Sequence, residues 1–185
     1  MIASLLTLVA TVHPMFIGDS IMAQVGQGAP SGITVLAKVG SGLANPRLRD
    51  WSKVTFTSGS TVVVIMGTND GQNIRGHRCG TPEWSDIYRA RVGVLMDKVE
   101  HKKLLWILPG RTGSIDFDNR LVYVRQAITS EAMVRGVKTL DLQVILDEVH
   151  GHNPRYHSKD GIHLNLKGVR LVQAEINKWF TSTAG

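Results

Sequence analysis

"STVVVIMG", residues 60 to 67, is the stretch on which the fold turns. Val62 to Met66 are all apolar, mostly β-branched, and run without polar alternation into Gly67. A strand with one wet face would alternate, and a helix needs a longer stripe at i, i+3 and i+4, so this run reads as a strand buried on both faces. Strands covered on both faces belong to parallel sheets with helices above and below. Working outward, similar short runs stand at "HPMFIG" (13 to 18), "GITVLAK" (32 to 38), "KLLWILPG" (103 to 110) and "VKTLDL" (137 to 142).

Helical patterns fill the gaps between these runs. Ile87, Arg91, Val92, Leu95, Met96 and Val99 recur near helical spacing. Leu121, Val124, Ile128 and Met133 do so in the next segment, which Gly136 closes as a C-cap, and Val169, Val172, Ile176 and Phe180 form the last stripe. These stripes read as core. Five strands alternating with helices predict an α/β chain folded as a three-layer α/β/α sandwich around a parallel sheet. At 185 residues the chain suits one domain, 13 to 185, large enough to bury a core without disulfides or metals.

In such a sheet ligands bind at the carboxyl ends of the strands. The longest structureless stretches, 67 to 83 and 147 to 161, both follow strand-like runs and are candidates for function. The first strand ends in "FIGDSIMAQ", where Gly18 permits a tight turn, Ser20 stands at the start of a helix and Gly26 is a natural stop. Helix-terminal amides favour negative charge beside such a serine, although an N-cap role by itself would also explain it. The second strand runs into "KVGSGLANP", with Gly40 and Gly42, and the third into "MGTND", with Asn69 and Asp70. Near the C-terminal end, "SKDGIHLNLKG" sets Asp160 three residues ahead of His163, close enough to hydrogen-bond within one turn of chain.

A serine hydroxyl is a poor nucleophile at neutral pH and needs a base. His163 supplies one, Asp160 orients it with Nε2 free, and the glycine and asparagine amides are donors for an oxyanion. The blocks "GDS" (18 to 20), a Gly in "GSGLANP", "GTND" (67 to 70) and "DGIH" (160 to 163) stand in the order of the SGNH hydrolases, the GDSL esterases and lipases, and the chain resembles that family from residue 18 to 163. "GSGLANPRLRDW" followed by "VVVIMGTND" looks most like the DUF459 branch of bacterial periplasmic SGNH proteins. The resemblance implies a flavodoxin-like sandwich with strand order 2-1-3-4-5 and a triad of Ser20, Asp160 and His163. It further implies an oxyanion hole of the Ser20 and Gly42 amides with the Asn69 side chain. Gly42 fits the family block better than Gly40, Ile21 replaces the family's Leu conservatively, and Asp19 and Asp70 read as turn stabilisers. The implied activity is hydrolysis of small acyl esters, acetyl above all, on a carbohydrate, with no cofactor and no metal. The alternatives are a general short-chain esterase, an acyltransferase to a sugar hydroxyl, or a glycan-binding module without turnover.

Other readings fare worse. The net charge of +6 and pI of 9.7 attract polyanions, yet Lys and Arg are spread along the chain and no nucleic-acid-binding signature accompanies them. His150, His152, His157 and His163 with Asp160 match no zinc spacing and HExxH is absent. "GQGAPSG" lacks the lysine of a phosphate-binding loop. The lone Cys79 reads as a free loop thiol. Arg75, Arg78 and Arg111 lie on loops after the third and fourth strands, where a solvated role is expected ahead of contact with an anionic glycan. The apolar residues 1 to 12 are too short to span a bilayer. They read either as an export signal, which favours a periplasmic or secreted location, or as an extra packed element.

Overall fold

The computed structural model describes residues 14 to 183, so the reading of residues 1 to 12 lies outside the described residues. Five strands, β1 (Pro14–Gly18), β2 (Thr34–Ala37), β3 (Thr61–Ile65), β4 (Leu104–Leu108) and β5 (Lys138–Asp141), form one sheet. The helices are α1 (Ser20–Gly26), α2 (Pro82–Met96), α3 (Ile115–Arg135), a short α4 (Leu142–Ile145) not anticipated from the sequence, and α5 (Leu166–Thr183). All neighbouring strands are parallel, in the order β2-β1-β3-β4-β5, the order expected.

β3 lies at the centre, with Val63 opposite Phe16 of β1 on one side and Leu105 of β4 on the other. Because successive side chains point to opposite faces, the uninterrupted apolar run serves two cores at once. Val62, Val64 and Met66 join Ile17 and Trp106 in the layer that holds Trp84, Tyr88 and Val92 of α2 and Leu121, Val124 and Ile128 of α3. Val63 and Ile65 join Phe16, Leu105 and Ile107 in the layer with Ile21, Met22 and Val25 of α1 and Val172 and Ile176 of α5. Every residue of β3 and β4 is buried, whereas the edge strands β2 and β5 are half-covered or exposed.

Local signals set the helix ends. Pro82 stands in the first turn of α2, and the side chain of Thr81 caps it by accepting from the Trp84 amide. Gly136 ends α3 in the left-handed conformation, φ 66°, and its amide reaches back to the Ala132 and Met133 carbonyls. One stripe position is corrected. Met133 is 78% exposed, while Ala132 is buried in its place. Five residues beyond Ile128, Met133 sits about 140° around the helix from it, whereas Ala132, four residues on, returns to the same face. Among the described residues no helix is long and apolar enough to cross a membrane.

Candidate active site

Gly18 ends β1 opposite Ile65 of β3. A Cβ there would stand 2.0 Å from the Ile65 carbonyl oxygen, so only glycine allows the approach. The Asp19 amide donates to that same oxygen at 3.1 Å, and the chain turns at once into α1. Asp19 is the N-cap, its Oδ1 accepting from the Ile21 amide at 2.9 Å. Ser20 is therefore not the cap but the first helical residue. It is 7% exposed, and no hydrogen bond among the described residues engages its hydroxyl.

Asp160 and His163 are paired as their spacing suggested. His163 Nδ1 lies 2.6 Å from Asp160 Oδ2, and Asp160 Oδ1 accepts from the Ile162 and His163 amides at 2.9 Å each. The bond to the His163 side chain, followed by those two amides, lowers the Asp160 pKa to about 2. The carboxylate thus stays ionised at any pH near neutral and receives the Nδ1–H of His163, while Nε2 makes no hydrogen bond among the described residues. Ser158 closes the loop from within, its amide donating to the His163 carbonyl at 2.7 Å and its hydroxyl to the Leu164 carbonyl at 3.1 Å. The loop meets α1 through Gln24, whose Nε2 donates to the Leu164 carbonyl and whose Oε1 accepts from the Leu164 amide, both at 3.0 Å. Positive charge on His163 is near enough to Asp19 to lower that residue's pKa, although the Ser20 and His163 side chains are not directly hydrogen-bonded.

The ends of β2 and β3 are braced against each other. Asn69 Nδ2 donates to the Ser41 carbonyl at 3.0 Å, which leaves its second N–H uncommitted. Asp70 is fully buried, with Oδ1 accepting from the Ala44 amide at 2.7 Å and Oδ2 from the Tyr88 hydroxyl at 2.8 Å. A Cβ on Gly42 would stand 2.1 Å from Asp70 Oδ1, so the turn requires glycine there. Gly40 differs: it is exposed, at φ 73°, and a Cβ on it would meet only the end of the Leu48 side chain. Of the two glycines, Gly42 is the one seated against the Asn69–Asp70 turn.

The buried acids beneath these loops are costly. Burial raises the Asp19 pKa from 3.8 to about 7, with the Ile21 and Thr68 amides opposing the rise and Asp70 adding to it. Burial also raises the pKa of Asp70. A carboxyl that titrates higher when folded gives stability that is complete below pH ~4 and is lost as pH climbs to ~7; for Asp19 the loss is at most about 4 kcal/mol. The stability of Asp19→Asn relative to wild type should therefore rise across that window and level off on either side. Urea unfolding at pH 4, 5.5 and 8 checks this, and a difference independent of pH would contradict it.

Other expected residues fall elsewhere. Arg111 is not a solvated arginine free to meet an anion, because its guanidinium donates to the carbonyls of Glu148 at 2.8 Å and Val149 at 3.2 Å. Cys79 is a free thiol but buried, which pushes its pKa up to about 11 and keeps it protonated at neutral pH. His152 and His157 do approach an acid, but it is Glu148 and not Asp160, and the three ligand atoms lie within 4.8 Å of one another. Three of their four ring nitrogens are engaged: His157 Nε2 with Glu148 Oε1 at 2.6 Å, His157 Nδ1 with the Ile162 carbonyl at 3.3 Å, and His152 Nε2 with the Gly161 carbonyl at 3.0 Å. The cluster thus ties the Glu148 loop to the loop bearing His163, and a metal taken up by His157 would have to displace its bond to Glu148 or to Ile162. Nothing in "DEVHGH" marks Glu148 as buried, since its burial arises from packing against residues 9 positions on and 37 positions back.

Comparison with solved structures finds the same fold at low identity. The chain is similar to a GDSL-like lipase from Bacteroides thetaiotaomicron VPI-5482, with 15% identity, TM-score 0.68, and coverage of 89% of this chain and 85% of that one. It is similar to a lipase/acylhydrolase from Enterococcus faecalis, with 16% identity, TM-score 0.63, and coverage of 90% and 94%. A catalytic mutant of an acetylxylan esterase from Geobacillus stearothermophilus is similar too, with 16% identity, TM-score 0.62, and coverage of 90% and 92%. No match is found among curated proteins. The likeness to these structures is one of fold, the SGNH-hydrolase sandwich. The model of the family described as "Protein of unknown function (DUF459)" matches residues 14 to 179, nearly the whole of the described fold, and the chain belongs to the DUF459 family.

Proposed function

We propose that the protein is a serine esterase that hydrolyses small acyl esters, acetyl above all, carried on a carbohydrate. The observation that supports this best is the 2.6 Å pairing of His163 Nδ1 with Asp160, on a loop joined by Gln24 to the helix whose first residue is Ser20. Asp19 already performs the capping, so the Ser20 hydroxyl is left for chemistry.

In the proposed mechanism His163 Nε2 takes the proton from Ser20 Oγ as that oxygen attacks the ester carbonyl. The oxyanion is met by the Ser20 and Gly42 amides and the second N–H of Asn69. Collapse expels the alcohol, which takes the proton from His163 and leaves Ser20 acylated. Water, deprotonated by His163, then attacks the acyl-enzyme, releasing the acid and restoring the hydroxyl. The imidazolium formed in each half-reaction is balanced by Asp160, already ionised.

The likeness in fold to an acetylxylan esterase supports the choice of acetyl on a carbohydrate. The test is hydrolysis of p-nitrophenyl acetate, butyrate and octanoate, with acetate release from acetylated xylan and acetylated peptidoglycan measured alongside. Acetate preferred over octanoate, together with release from a polymer, is the expected result. Activity on the small esters alone would support a general short-chain esterase instead. Inertness toward all of them, with Ser20 still labelled by a serine-directed phosphonate, would support transfer to a sugar hydroxyl. No labelling would support a binding module.

A further inference from the structure

We infer that Gln24 is a positioning residue that sets the height of His163 over Ser20 by holding the Leu164 peptide from helix α1. The inference rests on the proposed roles of Ser20 and His163. Four residues after Ser20, Gln24 lies on the same face of α1 one turn on, so the nucleophile and the carboxamide are carried by one rigid turn of helix. That carboxamide makes two bonds to a single residue, donating to the Leu164 carbonyl and accepting from the Leu164 amide at 3.0 Å each. A two-point contact fixes orientation as well as distance, which a single bond does not.

The bonds made to His163 itself come from within its own loop, while His152 and His157 hold the neighbouring Gly161 and Ile162 carbonyls from the Glu148 side. Asp160 holds its amide and its ring, and Ser158 holds its carbonyl. These shape the loop but do not refer it to Ser20. The Leu164 side chain is buried in the core layer, which sets how deep the loop sits, and Gln24 makes the hydrogen bonds that run from α1 to it among the described residues. Gln24 itself is only half-buried and stands outside the apolar set of Ile21, Met22 and Val25 that packs the helix down. Its polar end can therefore be removed without opening the core.

Gln24→Met keeps the length of the side chain and removes both bonds. The expected result is a fall in kcat on p-nitrophenyl acetate of about 10- to 100-fold, the scale on which a small misplacement acts, with KM and the thermal midpoint near wild type. The Leu164 amide should also exchange its hydrogen faster. Gln24→Glu gives a readout that a purely structural role would not move. Ionised, its carboxylate accepts from the Leu164 amide but repels the carbonyl; protonated, it donates and accepts as Gln does. The ratio of its kcat to that of wild type should climb toward one as pH falls through the ordinary Glu range near ~4.3. Gln24→Met with kcat within twofold of wild type, or a Gln24→Glu ratio flat with pH, would overturn the inference. If Ser20→Ala abolishes activity and Gln24→Met leaves it unchanged, positioning fails and the esterase stands. If no activity depends on Ser20, both fail together.

Discussion

Ser20→Ala is expected to lower kcat on p-nitrophenyl acetate by roughly 10⁴- to 10⁶-fold while the protein unfolds at the wild-type midpoint. The two halves of this result have separate causes. On the proposed mechanism the chemical loss is large because without Oγ no acyl-enzyme forms, and only ground-state binding and the proposed oxyanion donors remain. The fold is spared because the helix cap belongs to Asp19 and the Ser20 hydroxyl takes part in no hydrogen bond among the described residues. Were Ser20 a capping residue, the same substitution would cost about 1 kcal/mol of stability. His163→Ala should fall in the same range, and the double variant should be no worse than either one, since the two act as a unit. Steady-state kinetics with urea unfolding of the three variants decides the matter, and near-normal turnover by Ser20→Ala would end the mechanism.

On the proposed mechanism Asn69→Ala is expected to lower kcat by about 10²- to 10³-fold, the usual cost of one oxyanion donor. One N–H of the carboxamide holds the Ser41 carbonyl at 3.0 Å and thereby fixes the direction of the other. Removing the side chain takes away the donor and loosens the turn that presents the Gly42 amide, so two of the three proposed donors suffer. KM should move far less than kcat, because the carbonyl oxygen carries its full negative charge only in the transition state. Measuring kcat and KM separately on the acetate ester tests this; a loss confined to KM would assign Asn69 to ground-state binding instead.

Short-range physics made much of this legible in the residues. The run from Val62 to Met66 needed helices on both sides, and β3 has them. Gly136 could be read as a C-cap because a left-handed residue is needed there. The Asp160–His163 pair could be read from its spacing, since both residues lie in one tight turn of chain. Met133 failed because periodicity was followed across a position where Ala132 carries the buried face. Arg111 failed because its carbonyl partners lie 37 and 38 residues away and only folding supplies them.

The sequence by itself determined the alternation of buried strands and helices, the four loop blocks and the local pairing of Asp160 with His163, since each depends on residues within one element or turn. Tertiary structure alone decided that Gly42 and not Gly40 lies against Asp70, and that Gln24 joins α1 to a residue 140 positions away. Those outcomes depend on how closely separate strand ends approach one another. That distance is set by packing in the two core layers and is carried by no single stretch of the chain.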